Sequence, residues 1–280
     1  MGKDALEIGR TFEELRAIID RMELKDKLGG GRNQNKYARY SDIIMKQIDT
    51  NFDFRTDAGN KDPDAHSPTL RKYHKMMWSK ELPNGKIFQL KDDKTNAYLY
   101  HESELGEFQL GSDAITHSYK NQKRKQGIVS EIPQEVDELF SAGCTIAAYI
   151  IFPNRKITGR NTINQERGCN PKIDDRFDLT LECIRRFYLK QKSPLYDTLL
   201  RYKSFFALFQ GFQGYVDFFL LQDLVIEDYS QVKFYLPFDD FSTDANSQFH
   251  NVNDYLFYQN GVINFINQRK NRMAKMYNNE

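Results

Sequence analysis

The stretch Asp174–Leu189, "DDRFDLTLECIRRFYL", decides how the second half of the chain is built. At roughly 100° per residue, Phe177, Leu181, Ile184 and Tyr188 share one helix face, and Asp175, Asp178, Glu182, Arg185 and Arg186 share the other. Asp178 and Glu182 form an i,i+4 like-charge pair, which costs about 0.2–0.5 kcal/mol on a bare helix; Glu182 and Arg186 form a favourable one. Asp174 and Asp175 fall where the positive end of a helix dipole welcomes negative charge. Leu179 and Leu189 lie among the charges, and a fully solvated face has no use for them. The spacing therefore predicts a helix whose polar side is partly covered, and carboxylates out of water need partners.

Further helices surround this one. "KSPLYDTLLRYKSFFALF" opens on Ser193 and Pro194 and carries one apolar stripe, Leu195, Leu199, Tyr202, Phe206 and Phe209. "GYVDFFLLQDLV" reads as helix or buried strand, "VKFYLPF" as a strand, and the chain closes with a helix over about Val252 to Lys275. In the first half, Ser67 and Pro68 are the N-cap and first residue of a helix running to about Ser79. Residues 4–23 and about 40–48 read as helical, separated by "LGGGRNQNK". "KIFQL", "NAYLYH" and "EFQLG" are strand-like, with a hairpin expected around "DDKTN". A helix starts behind Pro133, and "CTIAAYIIFP", Cys144–Pro153, is the strongest strand, β-branched and stopped by proline. The expectation is an α+β fold: a mixed or antiparallel sheet in the first half, packed by helices concentrated after residue 170, in one domain over 1–280 with 1–50 as a helical appendage to a main body at 51–280.

Composition sets limits. The 280 residues are 40% apolar and 14% aromatic, which is a folding composition. Net charge is +1, so no global field draws the chain to nucleic acid or membrane. No apolar run approaches the roughly 20 residues of a membrane span, and the N-terminus lacks the apolar core of a signal peptide. Three cysteines, Cys144, Cys169 and Cys183, with no CxxC, fit a reducing compartment and predict a cytoplasmic protein.

Two readings of the charged helix follow. It is either a structural ion-pair network or the wall of a cleft. In the second reading Asp178 and Glu182 act as base or metal ligand, and Arg186 with Arg160 or Arg167 holds an anion, because guanidinium matches phosphate oxygens in a fork. Arg155, Lys156, Arg160 and Arg167 lie within thirteen residues just upstream. Mg²⁺ would suit carboxylates on one face, though no DxD spacing enforces it. Four of the five histidines, His66, His74, His101 and His117, lie between residues 66 and 117 without metal-ligand spacing. "HSYKNQKRKQ" joins Tyr119 to a basic run of the kind that touches nucleic-acid backbone. P-loop, GxGxxG, GxSxG and HExxH motifs are all missing from the sequence.

Two resemblances add to this. His101 ends a strand in "AYLYHES", which resembles the H-G-S start of ADP-ribosyltransferases, with Glu102 where that motif has Gly. The resemblance implies NAD as substrate and His101 on its ribose; by order along the chain alone, Tyr119 would be the later stacking tyrosine and Glu227 the catalytic glutamate. More extensively, "DPDAHSPTLRKYHKMMWSKELPNGKIFQL", "TINQERG", "IDDRFDLTLECIRRFYL", "SPLYDTLLRYKSFFALF", "GYVDFFLLQDLV" and "VKFYLPFDDF" resemble a family of uncharacterised bacterial and phage-borne proteins, a domain of unknown function, over about residues 50 to 270. That implies an intracellular bacterial or phage setting and business with nucleotides, nucleic acid or phage–host conflict. The leading expectation is an enzyme acting on an anionic substrate, nucleotide or nucleic acid. Its rival is a non-enzymatic protein that binds a host or phage protein partner. An enzyme needs its polar groups to converge in a pocket; a binding protein exposes an apolar patch.

Overall fold

The computed structural model describes residues 48–93, 98–115, 126–245 and 249–277. Thr50–Met273 form one compact unit; the second, to which Met1–Asp49 and Ala274–Glu280 belong, lies almost wholly outside the described residues, and so do the N-terminal helices expected there.

The first helices are α1 (Pro63–His66) and α2 (Pro68–Trp78). Ser67 caps α2 as expected: its hydroxyl accepts from the Leu70 amide and donates to Asp57. Two short strands, β1 (Lys80–Glu81) and β2 (Ile87–Phe88), pair with each other around the turn containing Gly85. The main sheet has the order β3 (Lys91–Asp92), β4 (Leu99–Ser103), β5 (Gly106–Ala114), β6 (Tyr149–Pro153), antiparallel throughout. The hairpin expected around "DDKTN" is present, but its first strand is β3; the "KIFQL" segment pairs backwards with β1 instead. Between β5 and β6 come α3 (Gln126–Val129) and α4 (Pro133–Ala142).

Helices dominate from there: α5 (Ile163–Cys169), α6 (Phe177–Tyr188), α7 (Tyr196–Arg201), α8 (Lys203–Ala207), α9 (Phe212–Phe218) and α10 (Val252–Tyr277). The α+β architecture is the one the residue patterns predict. Two local expectations change. The stripe from Leu195 to Phe209 is buried as expected, yet the backbone breaks at Tyr202 into α7 and α8. "VKFYLPF" is no strand; it makes a single bridge, Val232 to Val225, and its extended aromatic run serves as a cover for α6.

The core between sheet and helices is aromatic. Phe88 packs on Phe205 and Phe218, Trp78 on Phe218 and Phe219, and Phe209 on Tyr215, Phe218 and Phe219. Gly214 lets α9 enter this lattice, because a Cβ there would run into the Phe209 carbonyl.

One buried cation joins the layers. Arg269 of α10 is fully buried and donates to the carbonyls of Ala147 (2.8 Å), Tyr149 (3.0 Å) and Phe219 (2.8 Å), with the Trp78 and Phe265 rings beside it. Tyr149 opens β6, an edge strand, and with no strand beyond to donate to its carbonyl, Arg269 does so instead. Replacing Arg269 by Met should leave three buried carbonyls without donors and lower the unfolding free energy by about 3 kcal/mol or more, read from urea denaturation, with Lys at this position intermediate because it cannot span all three acceptors.

Candidate functional site

The charged helix forms where its spacing predicts, and its polar side is covered. Every residue from Phe177 to Ile184 is buried. Asp174 and Asp175 do not begin the helix; both hold left-handed backbone (φ 49° and 60°), which Asp tolerates better than most residues, and the helix starts after Arg176. Leu189 is exposed at the C-terminal end.

Asp178 is fully buried, held bidentately by Arg176, and accepts the Tyr235 amide at 2.9 Å. The Glu182 carboxylate is gripped by Arg185 (2.7 and 2.9 Å) and by Arg186 (2.7 Å), whose guanidinium also lies over the Phe241 ring. Asp178 and Glu182 therefore each close on arginines of their own helix or its cap. Arg160 stands exposed on the turn before α5. His101 is buried, stacked on Phe88 at 4.3 Å, and bonded to the Gln89 carbonyl and the Ser103 hydroxyl, so neither ring nitrogen faces a ligand. Tyr119 lies outside the described residues, and Glu227 is exposed in the turn before Val232.

Arg167 behaves differently. Residues 111–114 of β5 extend past β4 and pair only with β6, leaving one edge open, and α1 packs there. On β5, successive side chains face opposite ways. Asp113 meets Arg167 at 2.9 Å, and Arg167 also donates to the carbonyls of Ala114 and Asp175 and to Thr180. Ser112 faces the other way, toward α1 and α2. Its hydroxyl lies 2.9 Å from His74 Nε2 and 3.0 Å from Asp64 Oδ1, while the Trp78 indole donates to His74 Nδ1 at 3.0 Å.

The direction of this chain follows from the donors. An indole N–H can only donate, so His74 Nδ1 accepts, its proton sits on Nε2, and Nε2–H donates to Ser112. Ser112 then gives its own proton to Asp64. Desolvation, with the positive charge of Arg269 behind it, pushes the His74 pKa down to about 3, so the ring stays neutral. Asp64 moves the opposite way. Burial of its carboxyl, with Asp113 and Asp62 nearby, raises it to about 7, against weaker pulls from Ser112 and Arg167. Asp113 is raised to about 6, again mainly by desolvation, with Arg167 opposing. Strongly shifted carboxyls beside a hydroxyl make this place the candidate site.

The predicted and observed sites thus share Arg167 alone. Asp64 sits in "DPDAHSP", a run that reads as turn formers. Ser112 and Asp113 are a polar pair inside a strand that otherwise alternates, and that interruption was the available signal. Among the described residues no group of three or more His, Cys, Asp or Glu is placed to hold a metal ion. None of the described helices is long and apolar enough to cross a membrane.

These features define an α+β protein with a carboxylate–arginine centre at an open strand edge. The chain belongs to DUF6994, a family of unknown function, whose model matches residues 48–273. No curated protein and no solved structure matches it.

Two outcomes test the geometry. Asp178→Asn should destabilise the protein by about 3–5 kcal/mol, because it breaks a fully buried, bidentate ion pair with Arg176. Asp64 and Asp113 carry folded-state pKa values above the unfolded value, so the fold binds their protons more tightly and loses that advantage as pH rises toward about 7. The stability of Asp64→Asn relative to the parent should therefore grow between about pH 5 and pH 7, measured by urea midpoints across that window.

Proposed function

We propose that this protein is an enzyme in which Asp64 is the general base and Ser112 the hydroxyl it activates, for transfer or hydrolysis at an acyl or phosphoryl centre. The observation that supports it is the oriented chain Trp78, His74, Ser112, Asp64, ending on a carboxyl held near neutrality. A base is most effective when its pKa lies near the working pH. His74 fixes the hydroxyl by donating to it, which leaves one proton on Ser112 and one direction for it to go, into Asp64. In the reactive step Ser112 Oγ attacks the electrophile, its proton passes to Asp64, and the leaving group departs with the bonding pair. Asp64 later returns the proton.

The expected arginine fork for phosphate finds no support here, because Arg167 spends Nε and both terminal nitrogens on protein oxygens. Its role at this site is to hold Asp113 and the Asp175 backbone in place. The three free thiols suit the cytoplasm of a bacterium or of a phage-infected cell, which is where we place the protein.

The test uses a fluorophosphonate probe, which reports a nucleophilic serine without knowledge of the substrate. Ser112 should be labelled, with fluoride leaving, at a rate that rises with pH through about 7 as Asp64 ionises. Asp64→Asn should abolish labelling while circular dichroism shows the fold intact. A folded parent protein with no label on Ser112 overturns the reading.

A further inference from the structure

A second place, built from other elements than the Ser112 centre, has the chemistry of a binding site. A groove of about 430 Å³ runs between α10 and the segment after Val232, within the range of about 300–1,000 Å³ usual for small-ligand sites. Asn260, Asn264 and Gln268 are spaced i, i+4, i+8, so they form one row along its wall. All three are exposed, and none of their amides has a hydrogen-bond partner among the described residues. Phe257 stands at the head of the row, 64% exposed, and Phe234 lines the same groove. Lys233 lies at its edge, exposed and without an ion pair among the described residues. Gly261 gives the groove its depth, since a Cβ there would come within 3.2 Å of the Tyr235 ring.

Each part implies something about the occupant. A large aromatic side chain left in water at the wall of a groove is a stacking surface for a planar group. Carboxamides carry a donor and an acceptor side by side, which matches heterocycle edges presenting both, adenine above all. An unpaired ammonium at the rim suits one phosphate. We propose that this groove binds an adenine base carrying a phosphate. The inference stands apart from the Ser112 reading and does not need it.

Titration calorimetry with AMP, adenosine and inorganic phosphate tests it on the full chain. AMP should bind more tightly than adenosine, and phosphate alone should not bind measurably. Phe257→Ala and Asn264→Ala should each weaken AMP by about tenfold or more, consistent with the loss of a stacking platform or a base-edge contact. Lys233→Ala should erase the difference between AMP and adenosine. Ser112→Ala should bind AMP as the parent does, so failure of the catalytic reading leaves this one standing. Oligo(dA) separates the two sources of the same chemistry: AMP binding at least as tightly marks a free nucleotide, and the oligomer binding more tightly marks a strand. No heat with AMP at millimolar concentration, binding unchanged by Phe257→Ala and Asn264→Ala, or Phe257-dependent self-association without AMP binding would each overturn the proposal.

Discussion

The fold turns on a buried cation, Arg269, that has no carboxylate partner among the described residues. Arg269 sits between the sheet edge, the end of α9 and the Trp78 ring, and three backbone carbonyls solvate its charge in place of an acid. Desolvation brings its pKa down to about 9, which still leaves it charged at neutral pH. The arrangement solves two problems at once. An edge strand carries carbonyls with no strand beyond to bond them, and a long helix needs a directional contact to fix its rotation. Burying one guanidinium answers both.

That charge also reaches the candidate centre. Arg269 contributes to the low pKa of His74. A neutral His74 must choose a tautomer, the Trp78 indole makes the choice, and the Ser112 hydroxyl is oriented as a result. A protonated His74 would have no lone pair to accept from Trp78, and the chain would lose its direction. The same exclusion of water that keeps His74 neutral raises Asp64 and Asp113. Opposite shifts in neighbouring groups from one common cause divide acid from base roles in many enzymes.

The charges on α6 are structural in their geometry. Asp178 and Glu182 each close on arginines within a few residues, and the segment around Tyr235 and Phe241 seals them from above. Like charges four apart on a helix are tolerable when each has its own counter-ion. A lone buried carboxylate would be another matter.

The amino-acid sequence by itself determined the helical second half, the Ser67 cap, the strand at Tyr149–Pro153 and the covered polar face of α6, because each is written in local spacing or local capping chemistry. It singled out Arg167 as a candidate anion holder through the cluster of cations around it, whereas in the fold Arg167 bonds protein oxygens. Tertiary structure alone decided which carboxylates lose their water. Asp64, Ser112, His74 and Asp113 are up to 49 residues apart along the chain, and only the packing of α1 and α2 on the open edge of β5 brings them together. A pKa depends on the atoms around a group in space, and periodicity along a helix or strand carries no record of what arrives from elsewhere. For the same reason Asp178 and Glu182 looked available: their partners Arg176, Arg185 and Arg186 were in plain view, but the segment that seals them was not.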